Sequence, residues 1–210
     1  MNGNTIVTIG RECGSEGRII GKKVAERMGV KCYDKELIAL AAKESGLCEE
    51  IVANMDEKPT NSFLYSLVMD TYSNNLSSPY LNLPINQKVF LAQFEAIRNL
   101  AARESCVIVG RCADYALEDD KDVFSVFISG NMEDKIKYIR EAYDVSEAKA
   151  KDIIVRNDKK RSNYYNYYSN KKWGDSRSYN ICLNSSVLGL DGTVDVILKC
   201  LELKKAQQKA

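Results

Sequence analysis

Between Thr5 and Leu203, short runs of consecutive apolar residues alternate with longer stretches in which apolar residues recur every three or four positions. Thr5 to Ile9 (TIVTI), Cys106 to Val109 (CVIV) and Val123 to Ile128 (VFSVFI) are continuous β-branched or aromatic runs, the pattern of strands buried on both faces. Val30 to Tyr33 and Tyr179 to Asn184 are shorter strand candidates. Helical spacing falls at Ile19, Ile20, Val24, Ala25 and Met28, and again at Val89, Phe90, Phe94, Ile97 and Leu100 within a helix from Ile85 to Arg103. Further helices are predicted from Lys35 to Ala42 with Asp34 as N-cap, from Asn131 to Tyr143, from a start at Ser146, and from Gly189 to Leu203. Strand and helix therefore alternate. That order predicts an α/β fold, with a parallel sheet and helices on both faces.

Two stretches depart from the alternation. From 47 to 84 the pattern gives short helices near 48–55 and 61–72, then a loop rich in Asn, Ser and Pro. This is expected to be a helical insertion set apart from the sheet. From 156 to 178 a basic run (Arg156, Lys159, Lys160, Arg161) is followed by Tyr164, Tyr165, Tyr167, Tyr168 and Trp173. Arg156 and Lys160 lie four apart and share a helical face. The stretch is expected to be a lid region. Its aromatic cluster has two readings: aromatic–cation packing over a nucleotide, or a tyrosine-rich face packed on a neighbouring element or a homodimer mate. Residues 1–210 are otherwise expected to form a single domain.

Composition narrows the chemistry. Thirty basic and 29 acidic residues leave a formal net charge of +1, which argues against a nucleic-acid partner. No apolar run is long enough to span a bilayer, and the first residues lack the charged-then-apolar order of a signal peptide; a cytoplasmic protein with no membrane partner is expected. The cysteines number seven and none form a C-x-x-C pair, so neither a disulfide framework nor a zinc site is indicated. Cys13 alone sits where a helix N-terminus would lower a thiol pKa. There is no histidine, which removes Ser-His-Asp and Cys-His catalysis and histidine metal sites. Carboxylates, arginines, lysines and a bound Mg²⁺ remain, and phosphoryl transfer leads that set because it is mostly positioning and charge neutralisation.

The first strand breaks at Gly10-Arg11-Glu12-Cys13-Gly14-Ser15-Glu16-Gly17, and a helix follows. Strand, glycine loop and helix in that order can turn backbone N–H groups onto a phosphate at the helix N-terminus. The alternative is that the glycines only make a tight turn. The spacing is not G-x-x-x-x-G-K-[ST]: Arg18 stands near the place of the lysine and Ile19 replaces the hydroxyl residue. The candidate phosphate-binding residues are Gly10, Arg11, Gly14, Ser15, Glu16, Gly17 and Arg18. Asp34 and Gly110-Arg111 each end a predicted parallel strand at its carboxyl side, where α/β folds place ligands. Asp34 reads either as a helix cap or as an acceptor-side ligand. Arg111 reads either as a phosphate ligand or as a surface ion pair.

The segments TIGRECGSEGRIIGKKVAERMG, CYDKELIALAAKESGL, VIVGRCADYAL, RNDKKRSNYYNYY with KKWGDSRSYNICLNSS, and GLDGTVDVI together resemble the cytidylate kinase-like family, a branch of the P-loop nucleoside monophosphate kinases. The resemblance implies a three-layer P-loop fold and an ATP- and Mg²⁺-dependent transfer to a nucleoside monophosphate such as CMP. It implies that Gly14, Ser15, Gly17 and Arg18 surround the donor's β-phosphate. Asp34 and Arg111 would serve the acceptor. Arg156, Lys160 and Arg161, joining Arg18 and Arg111 as catalytic cations, would clamp the transferring group, with Asp158 among them to orient an arginine or touch the metal shell. Ser15 is the candidate metal residue. The rival expectations are a non-catalytic nucleotide- or phosphate-binding protein of the same fold, and a protein-interaction module built on the aromatic cluster.

Overall fold

The computed structural model describes residues 4–34 and 85–208. Within them five parallel strands form one sheet in the order β2-β3-β1-β4-β5. The strands are β1 Ile6–Arg11, β2 Lys31–Tyr33, β3 Cys106–Val109, β4 Val123–Ser129 and β5 Ile181–Asn184. The helices are α1 Gly17–Met28, α2 Ile85–Arg103, α3 Ala113–Ala116, α4 Met132–Tyr143, α5 Glu147–Ser169 and α6 Ser185–Gln207.

The central strands carry apolar side chains on both faces because both faces are covered. Side chains alternate along a strand, so Val7 and Ile9 of β1 face one way and Ile6 the other. The first face, with Val107, Val109, Val126 and Ile128, packs on Ile20 and Val24 of α1 and on Val194, Ile197 and Leu201 of α6. The second, Ile6 with Cys106 and Ile108, packs on Ala96, Ile97 and Leu100 of α2 and on Ala113 and Ala116 of α3. These two apolar layers are the core of a three-layer α/β structure. Among the described residues no helix is long and apolar enough to cross a membrane.

The predicted strands and helices of the described residues are present, with differences at their ends: β1 runs on through Gly10 and Arg11, which the sequence pattern placed in the glycine loop, and β2 begins at Lys31 and not at Val30. β5 begins at Ile181 and not at Tyr179. α5 has the predicted start, with Ser146 as N-cap accepting from the Lys149 amide, but it runs on without a break through the tyrosines to Ser169. α6 begins at Ser185, capped by the Asn184 side chain, and bends at Gly189 (φ 66°, ψ 177°), where the sequence pattern had placed its start. The helix expected after Asp34 and the 47–84 insertion lie outside the described residues.

The strand order sets the site. β1 lies between β3 and β4, and the chain leaving β1 crosses β3 to reach β2. The carboxyl ends of β1, β3 and β4 therefore open side by side where the connections diverge, the place at which such sheets bind ligands.

Helix α1 approaches the sheet closely at Gly21, where an added Cβ would sit 2.8 Å from Val109 Cγ2 and 3.2 Å from Ile9 Cδ1. Gly→Ala in a free helix interior stabilises by about 1 kcal/mol. At this position overpacking of the buried layer reverses the sign, and Gly21→Ala is expected to cost about 1–3 kcal/mol. A urea midpoint measured against the wild type checks it; a higher midpoint would mean that α1 does not press on β3 in this way.

Candidate functional site

The loop between β1 and α1 is shaped by two left-handed residues, Gly14 (φ 82°) and Glu16 (φ 57°). Glu16 is the N-cap of α1, and no side chain caps the helix there. The first amides of α1, with the positive end of its dipole, are thus left for a ligand. The loop is braced from its own side. Ser15, 2% exposed, donates its hydroxyl to the Glu12 carbonyl at 3.0 Å. The Ser185 hydroxyl, at the start of α6, donates to the Ser15 carbonyl at 2.9 Å. The loop also lies directly on α4: a Cβ at Gly14 would meet the Lys135 carbonyl oxygen at 2.9 Å.

Lys135 sends its buried side chain back under the loop. Its Nζ donates to Glu12 Oε2 at 2.8 Å and to Asp158 Oδ2 at 3.2 Å. Each carboxylate in turn holds backbone: Asp158 Oδ1 accepts from the Cys13 amide at 2.6 Å, and Glu12 Oε2 from the Gly130 amide at 3.2 Å. Burial acts to lower the Lys135 pKa, but Glu12 and Asp158 outweigh it and the net shift is upward. Burial raises the Asp158 pKa against the opposing pull of the Cys13 amide and Lys135.

Beside the loop, across the ends of β1 and β3, is an open cleft. Among the described residues three cations line it: Arg11 at the end of β1, Arg111 after β3, and Arg161 on α5. Arg11 lies across two glycines. A Cβ at Gly17 would fall 2.5 Å from Arg11 Cβ, and one at Gly110 would collide with Arg11 Nη1. Arg111 is buried, 8% exposed. It sits within three successive left-handed residues, Gly110 (φ 81°), Arg111 (φ 63°) and Cys112 (φ 52°). Arg161 Nη1 donates to the Arg11 carbonyl at 3.4 Å.

Much of the remaining lining is aromatic: Tyr164, Tyr165, Trp173 and Tyr179. These rings continue into a packed cluster. Trp173 meets the Phe127 ring edge-on at 5.1 Å, and Tyr168 stacks on Phe90 of α2 at 4.0 Å. The tyrosine-rich stretch therefore packs on neighbouring elements of its own chain while contributing rings to the cleft. Within that lining the Tyr165 hydroxyl donates to Asp114 Oδ2 at 2.6 Å. Burial is the main cause that raises the Asp114 pKa, with the Tyr165 hydrogen bond opposing it. Burial also pushes up the Tyr165 hydroxyl, reinforced by Asp114.

Of the residues singled out in the sequence, Gly10, Arg11, Arg111 and Arg161 share the cleft. Gly14, Ser15, Glu16 and Gly17 form the loop beside it. Arg18 is half-exposed and pairs with Asp34 at 2.5 Å, on the flank of the loop. Arg156 is exposed and Lys160 partly buried, and neither is among the described residues lining the cleft. Cys13 is 6% exposed and packed against Ile139, Ala150 and Ile154. Asp158 faces the loop and Lys135, not an arginine. Among the described residues no three His, Cys, Asp or Glu side chains group as a metal-holding cluster. Sequence reasoning missed Asp114, Glu12 and Lys135. None of the three carries a local signal, because each acts through a partner distant in the chain: Tyr165 for Asp114, Lys135 and the Gly130 amide for Glu12, Glu12 for Lys135.

The chain matches the model of the cytidylate kinase-like family over residues 6–187. Among solved structures it is similar to an uncharacterized protein from Eubacterium ventriosum ATCC 27560, at 31% identity and a TM-score of 0.70, covering 95% of this chain and 99% of that one. It is similar to a shikimate kinase from Bacteroides thetaiotaomicron at 12% identity and a TM-score of 0.52, covering 94% and 98% of the two chains. A gluconokinase from Sinorhizobium meliloti 1021 is similar at 14% identity and a TM-score of 0.52, covering 98% and 95%. At those identities the two kinases speak for the fold alone. No curated protein sequence matches. An all-parallel sheet with a glycine loop at its switch point, and a family match over most of the length, identify the chain as a member of the cytidylate kinase-like family with a P-loop kinase fold.

Proposed function

We propose that the protein is an ATP-dependent phosphotransferase that passes a phosphoryl group to a small phosphorylated acceptor, a nucleoside monophosphate such as CMP. The observation that carries the reading is the convergence of three guanidinium groups, Arg11, Arg111 and Arg161, in one cleft beside the uncapped N-terminus of α1. A loop with free helix amides suits the donor's phosphates. The arginines of the cleft suit an acceptor phosphate and the oxygens of the group in flight, through paired hydrogen bonds that a lysine does not make. The aromatic lining suits a flat base and keeps water from the transfer.

In this reading the loop and the first turn of α1 hold the donor. Arg111 binds the acceptor phosphate, and Arg11 and Arg161 neutralise charge on the transferring group. No general base is required, since an acceptor phosphate is already ionised. Mg²⁺, when bound, would shield charge on the donor phosphates. Phosphate oxygens and water would supply most of its ligands, as is usual for this ion. Ser15 is the loop hydroxyl nearest that role, though its proton is committed to Glu12. The Arg18–Asp34 pair closes the loop's flank. Arg156 and Lys160, on α5 outside the cleft, are the outer members of the clamp.

The test is ATP and Mg²⁺ against a panel of monophosphates (CMP, dCMP, UMP, AMP and GMP), following ADP and new diphosphate. Turnover with a monophosphate is expected, and Arg111→Ala and Arg161→Ala should each lower it by about a hundredfold or more, as loss of a charge-stabilising group does. Near-normal turnover in both variants would remove these assignments. Nucleotide binding with no product from any acceptor would favour the non-catalytic reading.

A second prediction concerns Asp114. Its folded pKa lies above the ordinary value of 3.8, so the stability linked to this group is complete below that value and is lost as pH climbs through the folded one. Asp114→Asn keeps an acceptor for the Tyr165 hydroxyl and has no charge to bury. The melting temperature of the variant, relative to wild type, should therefore rise between about pH 4 and about pH 8. A difference that is flat or falls with pH would show that the carboxylate is not held in an apolar setting.

A further inference from the structure

The glycine loop lacks the lysine of the usual G-x-x-x-x-G-K-[ST] pattern, and nothing covalent holds it in shape. The structure supplies a lysine from elsewhere. We infer that Lys135, on α4, is the positioning residue of the phosphate loop. Its ammonium holds Glu12 and Asp158, and those two carboxylates hold the backbone at Gly130 and Cys13, fixing the curvature that offers the α1 amides to phosphate. The inference rests on the reading of that loop as the donor-phosphate site, and it assigns a role to a residue outside the loop and outside the cleft.

Three observations carry it. First, the Lys135 side chain is 5% exposed, with both carboxylates within 3.2 Å of its Nζ. A lysine seldom stays that buried unless it is paired. Second, each carboxylate has a backbone task of its own: Asp158 takes the Cys13 amide at 2.6 Å and Glu12 the Gly130 amide at 3.2 Å. Charge-assisted bonds to backbone are among the stronger ones available. Third, the loop is seated on the same residue's main chain, since a Cβ at Gly14 would lie 2.9 Å from the Lys135 carbonyl oxygen and 3.0 Å from its Cα. One residue thus supports the loop by backbone contact and by its charge.

Charge is the reason a lysine is needed. Glu12 from the loop, Lys135 from α4 and Asp158 from α5 are the charged groups that face one another there. With the ammonium removed, two carboxylates are left side by side beneath a site meant for an anion. They repel each other, which pulls on the Cys13 and Gly130 amides, and they repel the donor. With all three made neutral, Asp158→Asn and Glu12→Gln leave carbonyl oxygens for the same amides. The role then depends on balance of charge, not on the lysine as such.

The experiment measures binding of ADP and of inorganic tripolyphosphate by calorimetry, with far-UV circular dichroism on every variant. The variants are Lys135→Met, Lys135→Arg and the triple change Glu12→Gln, Lys135→Met, Asp158→Asn. Lys135→Met should weaken both ligands by about tenfold or more, because it leaves buried charge uncompensated. Lys135→Arg and the neutral triple variant should recover most of that loss. ADP and tripolyphosphate should be affected alike, since the loop meets phosphate and not the base. If the wild type binds neither ligand, the phosphate-loop reading itself fails and the inference with it. If the wild type binds and folded Lys135→Met binds equally well, the inference alone is overturned. Should Lys135→Met not fold, the triple variant decides: folded with near wild-type affinity supports the charge balance, and folded with the loss uncorrected overturns it.

Discussion

The cleft is built around a side chain that crosses two positions lacking one. Arg11 leaves the end of β1 and passes over Gly17, the first residue of α1, and Gly110, the residue after β3. A methyl group at either position would enter the space the arginine fills. The two loops that meet at the switch point are therefore not independent. The loop after β1 can stay tight only while residue 17 is small, and the turn after β3 asks for glycine at 110 through its left-handed φ of 81°. Interiors at this density do not absorb an extra carbon by small shifts.

A single helix then spans the whole arrangement. Asp158, Arg161 and Tyr165 are spaced at i, i+3 and i+7, hence on one face of α5. Asp158 reaches the loop amide at Cys13, Arg161 the Arg11 carbonyl, and Tyr165 the carboxylate of Asp114. Over about 10 Å of helix axis, one stiff element touches the phosphate loop, the end of β1 and the short helix after β3. The loop end and the cleft end are thus held at a fixed separation. Any displacement of α5 would alter all three contacts together, because a helix bends far less readily than the turns it touches.

Much of this scaffold was legible from hydrophobic pattern alone. CVIV at 106–109 and VFSVFI at 123–128 carry apolar residues without alternation because helices cover both faces of the sheet. Ser146 announced the start of α5 through its cap. The far end of α5 was not legible, since a run of Asn and Tyr residues has poor helix propensity; what keeps it helical is tertiary packing of Tyr165 and Tyr168 against Phe90 and Phe127. The start of α6 was misplaced because Gly189 looked like a boundary and is a bend. In the site, the cations next to glycines could be read because a strand end followed by Gly-Arg has a positional meaning. Lys135 and Asp114 could not. Each matters through partners far away in sequence, Glu12 and Tyr165, and no local pattern encodes such a pairing.

The backbone itself is strained where the sheet gives way to the cleft. Left-handed conformations at non-glycine residues cost of order 1–3 kcal/mol each when they are held at a defined site. Arg111 and Cys112 occupy them in succession, immediately after a glycine that does the same. A surface turn would shed that strain by substitution or rearrangement. Here it is locked from both sides: the Gly110 amide donates to the Ile9 carbonyl at 2.9 Å, the Ala116 amide to the Cys112 carbonyl at 2.9 Å, and Cys112 is packed in the same cluster as Phe90 and Phe127. The result is to turn the chain sharply enough that β3 delivers Arg111 into the cleft while α3 still covers the sheet.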